Sequence, residues 1–306
     1  MRFSIYQQSL VGARRNNQDR VAYSYSKDAL MLAVADGMGG HIKGEVAAEI
    51  TVSLLVERFQ RNARTLIKNP YEFLSETLHA AHQAIFEYAE ENGLSESPRT
   101  TIVACVIQNG KAYWAHVGDS RLYFVLAAKV ISLPNDHSRV QQMLDAGLIT
   151  QEQAAKHPER NRIYNCLGGP QLPLVWLANP VPVSVGDTIM LSSDGFWAHL
   201  PEEELGGAIA KQSIVDCLPS LMQVAEKRGG KKADNLTVVA MTWENESATE
   251  ADNGKKIITD GMAHNIFTTE MGASLNDKQS QYDDVTEDEI DKAIAEIQST
   301  IKKFSR

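Results

Sequence analysis

Residues 29–41 read ALMLAVADGMGGH, an apolar run that stops at a carboxylate and continues into a glycine-rich loop. The run from Ala29 to Ala35 suits a buried strand and is far shorter than the ~18 apolar residues that a membrane-spanning helix needs. Asp36 follows this strand directly, and the glycines after it allow the backbone to approach a ligand closely. We therefore predict a buried strand that delivers an acidic side chain to a binding site.

Strand patterns are grouped on both sides of this run, with helical patterns between the groups. Residues 3–6 and 21–25 carry β-branched or aromatic side chains between polar breaks. Apolar residues then recur at helical spacing after Gly40 and after Pro70. Further strands are predicted at 101–107, 112–117, 121–126, 129–133, 188–191 and 236–241, with a hairpin turn at Asn109–Gly110 and a helix around 213–226. Because strands and helices seldom alternate, the predicted fold class is α+β with antiparallel sheets.

The composition changes after Glu244, which suggests three segments: a main domain at 1–244, a polar linker or loosely packed extension at 245–284, and an amphipathic helix at 285–306. Thr286 and Glu289 form a capping box for this helix. Its apolar stripe consists of Ile290, Ile294, Ile297, Ile301 and Phe304. We expect the stripe to dock on the main domain, on a second copy of the chain, or on another protein.

Composition and charge exclude several classes of protein. A 306-residue chain with 43% hydrophobic residues can bury a large core, which excludes a disordered or fibrous protein. A net charge of −9 argues against a duplex nucleic acid as partner. The sequence shows no membrane span or secretory signal, and its three separated cysteines favour a reducing compartment, so we expect a cytoplasmic protein.

Five aspartates stand where predicted strands begin or end: Asp19, Asp36, Asp119, Asp194 and Asp234. One Asp-Gly pair after a strand usually marks only a turn, but Asp-Gly or Gly-Asp recurs at three of these positions. Carboxylates that converge at a sheet edge repel one another unless cations bind between them. Oxygen ligands of this kind select Mg²⁺ or Mn²⁺.

These residues belong to an ordered set of motifs that resembles the PP2C (PPM) family of metal-dependent serine/threonine phosphatases in its bacterial form. The matching segments are Arg14–Asp19, 34–41 with Gly44–Glu45, Thr100–Thr101, 115–123, 192–195 and 234–238. The resemblance covers roughly residues 2–243. It implies a β-sandwich of two antiparallel sheets flanked by helices, with two or three Mn²⁺ or Mg²⁺ ions in a cleft at one end.

The resemblance also implies a role for each residue of the site. Asp36 would bridge two ions, Gly37 would offer its carbonyl to one of them, and Asp194 and Asp234 would complete the other. Asp119 would form a third ion site with Asp194, Asp19 would orient bound water from the outer shell, and Arg14 would hold the substrate phosphate. A water between the ions would attack phosphorus directly, without a phosphoenzyme.

The polar insert from Asn135 to Pro173 resembles the flap that borders the cleft in bacterial members and influences substrate choice. Its site candidates are Asp136, His137 and Asn161. The resemblance implies phosphoproteins as substrates, including those of a cognate serine/threonine kinase. Two alternatives remain open: a phosphoprotein-binding pseudophosphatase and a hydrolase of small phosphate esters.

Overall fold

A five-stranded antiparallel sheet joins the two ends of the main domain. The computed structural model describes residues 2–38, 43–63, 66–126, 129–133, 135–244 and 266–269. Within this first sheet the first strand pairs with the last strand of the main domain, from Phe3↔Trp243 to Leu10↔Leu236. The order across the sheet is β1 (Phe3–Leu10), β11 (Leu236–Trp243), β10 (Thr188–Ser192), β6 (Arg121–Leu126) and β7 (Lys129–Leu133).

A second antiparallel sheet contains the apolar run that ends at Asp36. Its order is β12 (Ile266–Thr269), β2 (Arg20–Tyr25), β3 (Ala29–Ala35), β4 (Ile102–Gln108), β5 (Lys111–Val117) and β8 (Trp176–Leu177), and β9 (Val181–Pro182) also pairs with β5. All seven residues of β3 are buried because helices cover one face of this sheet and the first sheet covers the other.

The two sheets pack face to face, with helices on both outer surfaces. Trp114 and Phe124 meet between the sheets at a ring-centroid distance of 5.7 Å. Helices α1 (Gly44–Asn62) and α2 (Pro70–Glu91) cover the second sheet, where Asn69 caps α2 by accepting a hydrogen bond from the Glu72 N–H. Helices α5 (Asp194–Trp197), α6 (Glu202–Ile209) and α7 (Ile214–Gly229) cover the first. The predicted α+β sandwich is confirmed.

Short elements account for most differences from the sequence prediction. The insert contains two small helices, α3 (Arg139–Asp145) and α4 (Gln151–Ala155), and the two-residue strands β8 and β9 follow it. Strand β12 lies within the stretch predicted as a linker and pairs with β2 from Ile266↔Tyr25 to Thr269↔Ala22. Runs this short carry too few residues for a hydrophobic period to be recognised.

The helices that the structure describes are each too short or too polar to cross a lipid bilayer. The predicted helix at 285–306 lies outside the described residues, as does the rest of the 245–284 segment apart from β12.

Candidate metal centre

The strand pairing brings the five aspartates to one end of the sandwich. Arg20 pairs with Ala35, so Asp19 before β2 lies beside Asp36 after β3. In the other sheet Ser192 pairs with both Arg121 and Val238, which places the remaining three aspartates at the same end: Asp119 before β6, Asp194 after β10 and Asp234 before β11. The convergence that the sequence predicts is therefore present.

The threonine pair after α2 holds the backbone of Asp36. The Thr101 N–H and the Thr100 hydroxyl each donate to the Asp36 carbonyl oxygen at 2.9 Å. Gly37 continues the chain into a space without room for a side chain, because a Cβ there would lie 2.5 Å from the Gln18 carbonyl oxygen and 2.6 Å from that of Gly44. The glycine after Asp36 is therefore required by close backbone packing.

Asn235 organises the opposite wall of the site. Its side-chain oxygen accepts from the Gln18 N–H at 2.8 Å, and its side-chain nitrogen donates to the carbonyls of Val11 and Asn16 at 2.9 and 3.0 Å. These three bonds tie the loop that carries Arg14 to the start of β11. The Asp234–Asn235 motif marks this residue in the sequence, but its role becomes visible only when the loop at 11–18 lies beside it.

Ser193 and Thr237 lie in two of the matching motif segments, and the structure shows that they position Asp19. The Ser193 hydroxyl donates to one Asp19 carboxylate oxygen at 2.7 Å and accepts from the Thr237 N–H at 3.0 Å. Because Ser193 precedes Asp194 in the chain, its bond to Asp19 connects the segment that carries Asp194 with Asp19. No spacing in the sequence relates residue 19 to residue 193, since only the fold brings them together.

The carboxylates repel one another strongly. Burial raises the pKa of Asp36 well above its usual value, and the charges of Asp19, Asp194, Asp119 and Asp234 add to that rise. Burial, followed by neighbouring carboxylates, likewise raises the pKa of Asp19 to about 6 and that of Asp194 to about 7. Asp36 and Asp194 keep some contact with solvent, whereas Asp19 and Asp119 are buried. We call this partly exposed cluster of five aspartates the recess.

Asp119 lies in the short connection from β5 to β6 and is buried. Burial raises its pKa well above the usual value, and Asp194 and Asp136 add to the rise. Its backbone carbonyl accepts a hydrogen bond from the Trp197 indole at 3.1 Å. The charge of Asp194 therefore acts on Asp119, and a cation near both carboxylates would relieve this repulsion.

The donor chemistry of the recess fits divalent cations. One buried oxygen of Asp19 and one of Asp119 have no hydrogen-bond partner among the described residues. Leaving such charged oxygens buried and unpaired is costly, and a hard cation removes that cost. The carboxylates and the nearby backbone carbonyls offer only oxygen, which is the ligand set that Mg²⁺ and Mn²⁺ prefer.

Arg14 forms a salt bridge with Asp234 through two hydrogen bonds. Its Nε donates to one oxygen of Asp234 at 2.8 Å and its Nη2 to the other at 2.5 Å. Across the described part of the chain, no group of three or more His, Cys, Asp or Glu side chains is arranged so that it could hold a metal ion. Because the Arg14 guanidinium holds both oxygens of Asp234, this carboxylate would have to release Arg14 before it could join a set of metal ligands.

The three flap candidates differ in burial and in contacts. Asp136 and His137 are at the base of the insert, where Arg121 binds Asp136 through two hydrogen bonds of 2.9 and 2.7 Å. Asn161 is exposed. The loop before Asp234 contains a 3₁₀ turn at Gly230–Lys232. His41, at the end of the glycine-rich motif, lies outside the described residues.

Comparison with known protein families shows to which family this chain belongs. A family model described as protein phosphatase 2C matches residues 8–239. The chain belongs to the protein phosphatase 2C family. It is accordingly a metal-dependent protein serine/threonine phosphatase of the PPM type.

Individual relatives agree with the family match. A curated protein of Listeria innocua named serine/threonine phosphatase stp is 32% identical over 74% of this chain and 90% of its own length. The solved structure of the Streptococcus agalactiae serine/threonine phosphatase superposes with a TM-score of 0.72 at 29% identity, covering 79% of this chain and 100% of that one. A structure of the PstP catalytic domain in complex with two manganese ions gives a TM-score of 0.68 at 27% identity, over 80% and 99% of the two chains.

Proposed function

We propose that this protein phosphatase 2C hydrolyses phosphoserine and phosphothreonine in proteins at the recess formed by the five aspartates. The convergence of these carboxylates carries the proposal. Asp36 lies among four other carboxylates whose charges raise its pKa. A site that repels anions in this way can accept a phosphoryl group only after cations have reversed its charge.

The residues that would hold the cations follow from their positions. Asp36, the Gly37 carbonyl, Asp194 and Asp234 would hold two Mn²⁺ or Mg²⁺ ions, and Asp119 with Asp194 would hold a third. Asp19 would remain outside the ligand set, because Ser193 already binds one of its oxygens. When bound, these cations neutralise the carboxylates and the transferred phosphoryl group, and they lower the pKa of water enough for it to act as the nucleophile.

Arg14 would bind and orient the substrate. Its planar guanidinium matches two oxygens of a phosphoryl group as well as it matches the Asp234 carboxylate. A phosphoryl group therefore competes with Asp234 for Arg14, and a cation on Asp234 would favour the exchange. Substrate and cation binding would then support each other at this residue.

Side-chain nucleophiles are not needed for this reaction, so no phosphoenzyme is expected. The Ser120 hydroxyl is buried and shares a 2.7 Å hydrogen bond with the Thr101 hydroxyl. Burial raises the pKa of the Cys166 thiol, which keeps it in the unreactive protonated form.

The test is phosphate release from a phosphothreonine peptide, with Mn²⁺ and with chelator. We expect activity only with Mn²⁺ and a loss of at least 100-fold in Asp36→Asn. Asp187→Asn, at an exposed turn, is the matched control because its oxygen still accepts from the Ser184 N–H. Peptide binding without hydrolysis would instead indicate a pseudophosphatase, and faster turnover of small phosphate esters would indicate the other alternative.

The organisation of the chain and its partners belong to the same proposal. Residues 1–244 would form the catalytic domain, 245–284 a polar extension that contributes β12 to the second sheet, and 285–306 an amphipathic helix that docks on this domain or on a partner. Substrates would include those of a cognate serine/threonine kinase in the cytoplasm. Comparing residues 1–284, which retain β12, with the full chain tests the helix: unchanged activity, stability and oligomeric state would exclude a docking role.

A further inference from the structure

Two short loops meet beside the recess. They are residues 12–15, between β1 and β2, and residues 230–233, between α7 and β11. The Ala13 N–H donates to the Ala233 carbonyl at 3.0 Å, which joins the two loops directly. Each loop carries two consecutive cationic residues, so four positive charges are brought together here.

Arg14 places this pair of loops next to the clustered carboxylates. Its two hydrogen bonds to Asp234 raise the pKa of its guanidinium, and the charges of Asp194 and Asp36 add to that rise. Such an effect requires that these carboxylates lie close to the guanidinium. The loops therefore border the place where the proposed function puts the phosphoryl group of a substrate.

The other three cationic residues of the two loops are exposed: Arg15, Lys231 and Lys232. We call these three residues the cationic rim. Within the part of the chain that the structure describes, their side chains form no ion pair or hydrogen bond. Their charges are consequently available to a molecule that approaches the recess.

The backbone that carries the two lysines is held in one compact turn. The Ala233 N–H donates to the Gly230 carbonyl at 3.1 Å, and Gly230 has φ of +57°. Ala233 is buried, and a Cβ at Gly229 would lie 2.9 Å from the Ala233 Cβ. Because the backbone is already ordered, binding at the rim would cost side-chain entropy but little backbone entropy.

The cationic rim contrasts with the charge of the whole chain. The chain has a net charge of −9, so its overall field repels an acidic peptide. Acidic side chains near the two loops already have cationic partners. Arg14 binds Asp234, and Arg228 at the end of α7 binds the two carboxylate oxygens of Glu204 at 2.8 and 3.2 Å. At the rim an acidic peptide would therefore gain an attraction that the chain as a whole does not provide.

We propose that the cationic rim is a subsite for acidic residues that flank the phosphorylated residue of a protein substrate. The inference rests on the proposed function and adds a substrate class to it: phosphoproteins with Asp or Glu within a few residues of the phosphoserine or phosphothreonine. The rim acts on capture of the substrate, because complementary charges change association and specificity more than they change the chemical step.

The experiment compares three phosphothreonine peptides of equal length. One carries two Glu before the phosphothreonine, the second carries two Glu after it, and the third carries Gln at all four positions. Turnover by the full chain with Mn²⁺ gives kcat/KM for each peptide. Fluorescence anisotropy with the corresponding phosphonate peptides, whose carbon–phosphorus bond is not hydrolysed, gives their affinities under the same conditions.

Two double variants remove the same charge from opposite ends of the sandwich. Lys231→Gln with Lys232→Gln removes two charges of the cationic rim. Lys111→Gln with Lys129→Gln is the matched control, since both lysines are exposed. Lys111 begins β5, whose other end leads to Asp119, and Lys129 pairs with the end of β6 that lies away from that aspartate.

We expect wild type to favour at least one Glu peptide over the Gln peptide by about fivefold or more in kcat/KM, mainly through KM. The variant at Lys231 and Lys232 should lower this preference to about twofold or less, whereas the control variant should retain it. Arg15→Gln should lower it as well. The preference should also decline when the salt concentration rises from about 0.05 M to 0.5 M, because the Debye length shortens.

Equal kcat/KM for the three peptides in wild type would overturn the inference and leave the proposed function intact. A preference that the variant at Lys231 and Lys232 loses no more than the control variant would overturn it too, since overall charge would then explain the preference. If no phosphopeptide is hydrolysed with Mn²⁺, the proposed function fails. The phosphonate affinities then decide about the subsite, and equal affinities for the three peptides would exclude it.

Discussion

Asp194 illustrates how a single side chain of this site opposes folding while serving function. Burial and the neighbouring carboxylates raise its pKa to about 7, compared with 3.8 for an unperturbed aspartate. The folded state therefore binds more protons than the unfolded state between these two values. The contribution of Asp194 to stability falls as pH rises through this window and stays unfavourable above it.

Asp194→Asn should therefore stabilise the cation-free protein while removing activity. In chelator at pH 8 we expect the variant to exceed wild type in free energy of unfolding by on the order of 2–4 kcal/mol, since an amide cannot ionise. The difference should vanish near pH 4, where the wild-type side chain is protonated in the folded state. Urea denaturation at both pH values measures it.

Asp187→Asn is the control for this comparison, because Asp187 lies at an exposed turn away from the recess. It should change stability by less than about 0.5 kcal/mol at either pH. A destabilised Asp194→Asn in chelator at pH 8 would contradict the claim that charge repulsion dominates at this position.

Glycines show a second effect at the residue scale, because two with the same backbone conformation have different surroundings. Gly12 has φ of +61° and Gly93 has φ of +60°. A Cβ at position 12 would lie 2.1 Å from the Asp234 carbonyl oxygen, whereas no described atom lies within 4 Å of the corresponding point at Gly93. An alanine at either position would therefore have the same backbone strain, but only an alanine at position 12 would also clash with the backbone of Asp234.

Gly93→Ala should cost about 1–2 kcal/mol of stability, which is the strain of an alanine in the left-handed region, and should leave activity unchanged. Gly12→Ala should cost more than Gly93→Ala and lower kcat/KM at least tenfold, since the backbone of Asp234 must move. Thermal unfolding and peptide turnover measure both. Equal losses in the two variants would show that only backbone strain matters.

At the scale of elements, Trp114 connects the two sheets. It lies on β5 with 1% of its surface exposed and contacts Phe124 on β6 of the other sheet. Its indole nitrogen is buried without a hydrogen-bond partner among the described residues. The residue therefore combines a large favourable burial of apolar surface with a small polar cost.

Two substitutions of Trp114 should separate the contribution of its apolar packing from the cost of its unpartnered indole N–H. Trp114→Ala should destabilise the protein by about 3–5 kcal/mol because it leaves a cavity between the sheets. Trp114→Phe should cost less than about 2 kcal/mol, since it keeps most of the packing and removes the unpartnered N–H. Trp176→Ala, at a tryptophan that is 37% exposed on β8, is the control and should cost less than Trp114→Ala in the same urea titration.

At the scale of the whole molecule, cation binding and protonation compete for the same carboxylates. Asp19 and Asp194 have pKa values raised to about 6 and about 7, and those of Asp36 and Asp119 are also raised. Protons must leave before cations bind, so cation affinity increases with pH across this range.

The difference between the Tm with Mn²⁺ and the Tm with chelator should therefore widen between pH 5 and pH 8. Bound cation stabilises the folded state by an amount that grows with cation concentration relative to Kd. Thermal unfolding at several pH values measures the difference, and Asp194→Asn should flatten its pH dependence. A difference independent of pH would mean that these carboxylates do not hold the cation.

The sequence by itself determined the fold class, most long elements and the set of acidic residues. Buried strands such as β3 and amphipathic helices such as α2 are recognisable because their side-chain periods depend only on local geometry. The five aspartates are recognisable because each stands beside a strand end, and the ordered motifs indicate the family. Short elements such as β8 and β9 were missed because two residues cannot display a period.

Only the tertiary structure decided how these residues hold one another. Several hydrogen bonds join residues that are far apart in the chain. They are the Ser193 bond to Asp19, the three bonds of Asn235, and the bond from the Gly118 N–H to the His137 ring. The pairing of Arg14 with Asp234 likewise joins two residues that the sequence placed in separate roles. Such contacts depend on how sheets and loops pack in three dimensions. A local pattern of residue types does not show which residues distant in the chain will lie close together in the folded protein.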